Sequence, residues 1–266
     1  LFDTFIASFL MTGSISWLYY ADRLLEFPLG LFGIAIATVI LPALSRKHIN
    51  AEGEGFRQTM DWGVKAILLL GMPAMFGLIL LAQPMLMVLF MRGAFSITDV
   101  EMASYSLVAY GAGLLSFMMI KVLAPGYYSR QDTKTPVKFG IIAMVTNMFF
   151  NLIFAIPFGY VGLAIATSMS ALLNAGLLYR GLHKAGVYQV SRSTLIFTFK
   201  VFVATAVMSG LLIYFSPAQS QWLSWNIGHR MLMLIALISA GALSYLMTLL
   251  LLGVRPWKIK KAPVSL

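Results

Sequence analysis

Seven apolar runs, each long enough to cross a hydrocarbon core as a helix, follow one another along this chain. About 20 helical residues suffice for a crossing, and in lipid only helices or closed barrels satisfy the backbone's own polar groups. The runs are approximately Ile15 to Ser45, Phe56 to Leu81, Asp99 to Val122, Pro136 to Pro157, Val161 to His183, Thr194 to Phe215 and Arg230 to Leu252. Their lengths exceed those of strands, so the fold expected is all-α, a polytopic bundle of transmembrane helices. Composition agrees: 60% of residues are hydrophobic and 11% charged, where soluble domains carry roughly half and a quarter. Pro84 to Met91 is too short to span and is expected at the interface or as a re-entrant turn, ended by Arg92 and Gly93. The leading "LFDTFIASFL" lacks a start Met and a basic segment, so it does not read as a signal peptide. It is expected to be the end of a further span that began upstream.

A net charge of +10 raises the question of nucleic acid. That reading requires a basic face on a soluble fold, whereas these basic residues punctuate apolar runs, so no nucleic-acid partner is expected. With no Cys, and with His48, His183 and His229 in separate loops or span ends, neither a thiolate nor an imidazole metal cluster is expected. Topology accounts for the charge. Arg46, Lys47, Arg57 and Lys65 gather at one connection, Lys121, Arg130, Lys134 and Lys138 at the next but one, then Arg180, Lys184, Arg192 and Lys200, then Arg255, Lys258, Lys260 and Lys261. These are alternate connections, so they share a side, and lysine and arginine collect on the cytoplasmic side. The C-terminus is therefore expected in the cytoplasm, where its "RPWKIKK" serves as an orientation signal that also meets anionic headgroups. The opposite side holds only Arg92 and Arg230, near Trp222 and Trp225, which suit an interfacial aromatic belt.

One basic residue, Arg23, belongs to neither side. It stands in "WLYYADRLLEFPLG" with Asp22 and Glu26, which are i,i+4 neighbours on a helix, and it is three residues before Glu26, close enough to pair. Two readings fit. Phe27 to Leu44 alone could span the bilayer, leaving the charged turn among the outer headgroups. Alternatively, the run from Ile15 to Ser45, about 46 Å long as a helix, carries a polar face that lines a water-filled cavity, the usual place for intramembrane ionisable residues. Pro28 sits where it can kink this helix, and Gly30, Gly33 and Ala37 permit close helix contact.

The stretch "SISWLYYADRLLEFPLGLFGIAIATVILPALS", followed by "KVLAPGYYSRQDTKTPVK", closely resembles the C-terminal half of the MurJ/MviN family of lipid II flippases, within the larger superfamily of multidrug and oligosaccharidyl-lipid exporters. The resemblance extends in order over the whole chain. It implies the second lobe of a fourteen-helix flippase at residues 1–184, its first helix truncated, and a C-terminal helix pair with a basic tail at 185–266. It also implies that Arg23 contributes to a cationic central cavity, with Asp22, Glu26 and Ser16 nearby. Lipid II joins a polyprenyl tail to a disaccharide-peptide head through a diphosphate, and guanidinium pairs well with phosphate oxygens. The missing N-terminal half of the same protein, lipid II and membrane lipids are the implied partners, in the bacterial cytoplasmic (inner) membrane.

Other polar residues inside the spans invite a second assignment. Asp3, Asn147, Asn151 and Thr167 offer carboxylate, amide and hydroxyl oxygens, a donor set for sodium or another monovalent cation of the kind transporters assemble from several helices. Interhelical hydrogen bonding is the alternative. The positions are similar to a sodium site of some family members, with Asn151 replacing a second carboxylate; no other cofactor is implied. In "PGYYSRQDTKTP", Arg130, Asp132 and Lys134 read either as a cytoplasmic gate or as a capped connection with Pro136 in the first helical turn. Gly162, Ala166, Ser170 and Asn174 form a small stripe expected to pack closely on a neighbour.

The function these readings imply is alternating-access transport of lipid II from the inner to the outer leaflet, with no covalent chemistry. No G-x-x-x-x-G-K-S/T phosphate loop is present to bind ATP. A related exporter of drugs or other polyprenyl-linked glycans is the nearest alternative. A membrane glycosyltransferase using such a lipid is the next, with Asp99 and Glu101 as its outer-side carboxylates.

Overall fold

The computed structural model describes residues 2–49 and 53–254. Arg255, Lys258, Lys260 and Lys261, read above as part of the orientation signal, lie outside them. Among the described residues every regular element is helical, and seven helices are long and apolar enough to cross a membrane. The chain is thus a multi-pass membrane protein.

After the short α1 (Phe2–Ala7), the first long run forms α2 (Ser14–Pro28), a π-helical stretch at Leu29–Ile34 and α3 (Ala35–Ile49), end to end. Pro28 is the physical cause of the break. It has no N–H to give and its ring crowds the preceding turn, and a wider π turn absorbs the mismatch. Gly33, within that turn, lies close against the Met118 and Lys121 side chains of a neighbouring helix.

Next come α4 (Gly53–Leu80) and α5 (Ala82–Phe90), separated by a break at Leu81. α6 (Ile97–Leu123) and the one-turn α7 (Pro125–Tyr128) follow, then α8 (Lys134–Phe158) and α9 (Tyr160–Lys184). The chain continues through α10 (Arg192–Phe215), α11 (Gln219–Ser224) and α12 (Ile227–Leu251). α5 is too short to cross a membrane by itself, as its length suggested, and lies outside the seven candidate spans. It carries on from α4, packs against α6 and α12, and buries Leu86 and Met87. Its nine residues are almost all apolar and gain more from helix neighbours than from a surface position.

α6 is the axle of the bundle, packed against α9, α4 and α2. Its Val100, Ala103, Leu107, Leu114, Met118 and Val122 are fully buried at helical spacing. Small residues set the closest approaches. A Cβ on Gly162 would run into the Phe154 backbone, and one on Gly113 would meet the Ser168 backbone at 2.9 Å. Gly162, Ala166 and Ser170 are buried, so these three positions of the α9 stripe pack closely, while Asn174, the fourth, is only partly buried. α8 touches little besides α9, leaving Ile141, Val145, Phe149, Leu152 and Ile156 exposed.

α10 and α12 pack on each other, and α10 packs on α4. Polar clasps fix the linker and this pair to α4. The Tyr188 hydroxyl donates to Asp61 at 2.8 Å, Arg57 to the Gly186 carbonyl at 3.0 Å, Lys65 to the Ser193 hydroxyl at 3.0 Å, and the Tyr245 hydroxyl to the Leu69 carbonyl at 2.6 Å. Burial pushes the Tyr188 phenol well above its ordinary range, and the Asp61 carboxylate adds to the effect. Trp222, in α11, is buried against the bundle, its carbonyl accepting from Arg230 at 2.7 Å.

Candidate functional site

α2 has two contrasting faces. Ala21, Leu24, Leu25 and Pro28 are buried, while Asp22, Arg23, Glu26 and Phe27 point away from the bundle. Arg23 donates to Glu26 at 2.7 Å, and both side chains remain about half exposed, at 54% and 51%. The guanidinium also lies over the Tyr19 ring, 4.9 Å from its centre, a cation–π contact that sequence reading did not single out. Exposed ion pairs three residues apart contribute little to stability, so the pair is not explained as a support of the fold.

Its position along the bundle follows from a tie near the start of α2. Trp17 Nε1 donates to Asp99 Oδ1 at 2.8 Å, fixing Trp17 level with the first turn of α6. Arg23 lies six residues further along α2, about 9 Å along the helix from that point at 1.5 Å per residue. Ser16 is not brought to the Arg23 pair. It is about two helical turns away, in a separate cavity of 460 Å³ with Tyr20, Phe90, Arg92, Phe95 and Asp99.

Both oxygens of Asp99 have partners. Besides Trp17, its carboxylate accepts from the Ser96 backbone at 2.8 Å and from the Ser96 hydroxyl at 2.6 Å, and the Ser96 hydroxyl in turn accepts from the Asp99 amide, a reciprocal helix cap. Glu101 has the Tyr105 hydroxyl as its neighbour at 3.5 Å.

Asp3, Asn147, Asn151 and Thr167 do converge. The Asn151 amide donates to Asp3 Oδ1 and, at 3.2 Å, to Asn147 Oδ1; the Asn147 amide donates to the Thr167 hydroxyl at 3.3 Å. The network joins α1, α8 and α9. Asn151 is completely buried, yet its Oδ1 has no hydrogen-bond partner, an unusual state for a buried acceptor. Carboxylate, amide and hydroxyl oxygens are hard donors, and the orphaned oxygen leaves one available, so the set fits a small monovalent cation.

On the basic side, the Asp132 carboxylate accepts from the Thr135 amide at 3.0 Å and caps α8. That bond holds the carboxyl below its ordinary 3.8. Tyr127 ties the preceding turn to α9 through the Leu178 carbonyl at 2.7 Å. Arg130 lines a different space, a cavity of 550 Å³ shared with Lys47, His48, Glu54 and Arg57, and Lys134 is exposed. Asp132 thus has a capping role, and the three residues do not form one contact.

Comparison with known proteins agrees with this architecture. The family profile described as "Lipid II flippase MurJ" matches residues 1–236. The probable lipid II flippase MurJ of Vibrio cholerae is 66% identical over 98% of this chain and 50% of its own length, and that of Haemophilus influenzae is 63% identical over 96% and 51%. The lipid II flippase MurJ of Burkholderia cenocepacia is 40% identical over 79% of this chain and 41% of its own. A solved structure titled "Lipid II flippase MurJ, inward closed conformation" superposes with a TM-score of 0.76 at 26% identity, over 93% of this chain and 49% of that one. The chain spans about half the length of the relatives it matches. Sequence and fold lead to one assignment: the chain belongs to the MurJ family of lipid II flippases.

Proposed function

We propose that this chain forms one wall of a flippase that moves lipid II from the inner to the outer leaflet of the bacterial cytoplasmic membrane by alternating access. The observation that carries this reading is the Arg23 face. A guanidinium held by Glu26 and Tyr19 below the level of the outer caps, turned away from its own bundle, needs water or protein beside it, because lipid would leave it costly. The missing half of the flippase would close that space into a cavity. There Arg23 binds the diphosphate bidentately, Glu26 holds it in place while the cavity is empty, and Asp22 tunes the local charge.

Residues 1–184 form the second transporter lobe in this reading and 185–266 the C-terminal helix pair, with the C-terminus in the cytoplasm. Asp3, Asn147, Asn151 and Thr167 would hold sodium or another monovalent coupling ion, whose binding would tie α1 to α8 and α9. Arg130 and Lys134 meet the incoming headgroup on the cytoplasmic side, next to the Asp132 cap. An inside-negative potential, about 2.3 kcal/mol per charge per 100 mV, favours outward passage of the anionic headgroup or inward return of a cation.

The test uses a cysteine-free full-length protein with Glu26→Cys and, as a control on a different helix, Ile238→Cys. A membrane-impermeant thiol reagent is expected to label position 26 and not position 238, with lipid II protecting position 26. Absence of labelling at position 26 from both sides of the membrane would contradict a water-filled cavity.

A further inference from the structure

Arg92 conflicts with topology. Basic residues are depleted on the outer side of a membrane protein, yet Arg92 stands in the α5–α6 connection on that side. Among the described residues it has no ion-pair partner; the ion pair there is Arg23 with Glu26. The carboxylate nearest in the same cavity, Asp99, is already taken by Trp17 and Ser96. Arg92 donates one bond, to the Leu89 carbonyl at 2.7 Å, leaving most of its five N–H groups unused.

The cavity around it is built. Tyr20 packs against Phe90 and Phe95 with ring centres 4.8 Å away in each case, giving three aromatic walls. The Ser16 hydroxyl opens into the same space without a hydrogen bond within the described protein. Ser16, Tyr20 and Arg23 fall at i, i+4 and i+7 on α2, so one continuous helix face leads from Arg23 to this cavity over about 10 Å.

We propose that the outer cavity is a second headgroup subsite that takes a phosphorylated saccharide on its way out. Arg92 and Ser16 bind phosphate oxygens, and the rings of Tyr20, Phe90 and Phe95 pack against sugar faces. This rests on the flippase reading above. It assigns a step to the outer side, where the Arg23 site hands its ligand on.

The experiment titrates the full-length protein in nanodiscs with a short-chain, water-soluble polyprenyl-diphosphate disaccharide-pentapeptide, and in parallel with the same headgroup lacking its diphosphate. Arg92→Gln is expected to weaken binding of the first probe about tenfold, the scale of a lost charge-assisted hydrogen bond, and to leave binding of the second unchanged. Phe95→Leu, which spares the Leu89 contact, is expected to weaken both probes roughly threefold, the scale of a lost aromatic contact. A lowered melting temperature for Arg92→Gln would shift the decision to Phe95→Leu alone. Unchanged binding in Phe95→Leu and in a stably folded Arg92→Gln, with Arg23→Ala impaired, would overturn the outer subsite and leave the flippase reading intact. Unchanged binding in all three would overturn both.

Discussion

Replacing Asn151 by Leu removes the polar joint between α1 and α8 while keeping most of the volume. Asn151 is fully buried and donates to Asp3 and to Asn147. A hydrogen bond to a charged acceptor contributes about 1.5–3 kcal/mol and one to a neutral acceptor about 1 kcal/mol. Interhelical bonds in membranes average nearer 0.6 kcal/mol, because the unfolded helices also find partners. Leu leaves little cavity, so the packing loss is small. Between these limits the expected cost is about 2 kcal/mol, a shift of roughly 30-fold in the unfolding equilibrium. Equilibrium unfolding of the full-length protein in mixed micelles measures it. A double-mutant cycle with Asp3→Ala isolates the contact, and a coupling of about 1 kcal/mol or more is expected. Additive costs, or a single-mutant cost below about 0.5 kcal/mol, would refute the joint.

Tyr188→Phe removes the hydroxyl that meets Asp61 and should cost about 1–3 kcal/mol by thermal unfolding, loosening α10 from α4; an unchanged melting temperature would show that the clasp is idle. Gly162→Val places a branched side chain against the Phe154 backbone, and overpacking of this kind costs about 1–3 kcal/mol, read as a lower yield of folded protein. The Asp132 cap has a pH signature. Its carboxyl is held below 3.8 by the Thr135 amide, so its contribution is present above the ordinary Asp range and is lost as pH falls through the depressed value. Amide exchange at the start of α8 should therefore be pH-insensitive, once corrected for intrinsic rates, down to about pH 4, the unperturbed Asp value, and then accelerate; Asp132→Ala should show the fast exchange throughout.

The spans were legible because lipid leaves a backbone no other partner, so each run of apolar residues had to become a helix. The Asp3, Asn147, Asn151 and Thr167 network was legible for a related reason: polar side chains are scarce in such helices and find one another. Hydropathy does not distinguish lipid from protein as a neighbour, so the burial of α5 and of Trp222 within the bundle was not legible. The resemblance placed Ser16 near Arg23, but only the tertiary fold shows the α5–α6 connection closing a separate cavity over it. Likewise the partner of Asp99 is Trp17, 82 residues away, a distance no local pattern bridges. The Asp132 cap was one of two readings, and the bond from the Thr135 amide shows the cap formed.

The central claim is that Arg23 faces the substrate. Its most direct test places Arg23→Ala and Arg23→Lys in the full-length protein, at matched membrane abundance, in cells depleted of their native flippase. The account predicts no growth with Ala and weak or no rescue by Lys, since a lysine cannot reproduce the planar two-bond grip on a phosphate. Normal growth with Ala would contradict it and return the charged turn of α2 to the role of a headgroup anchor.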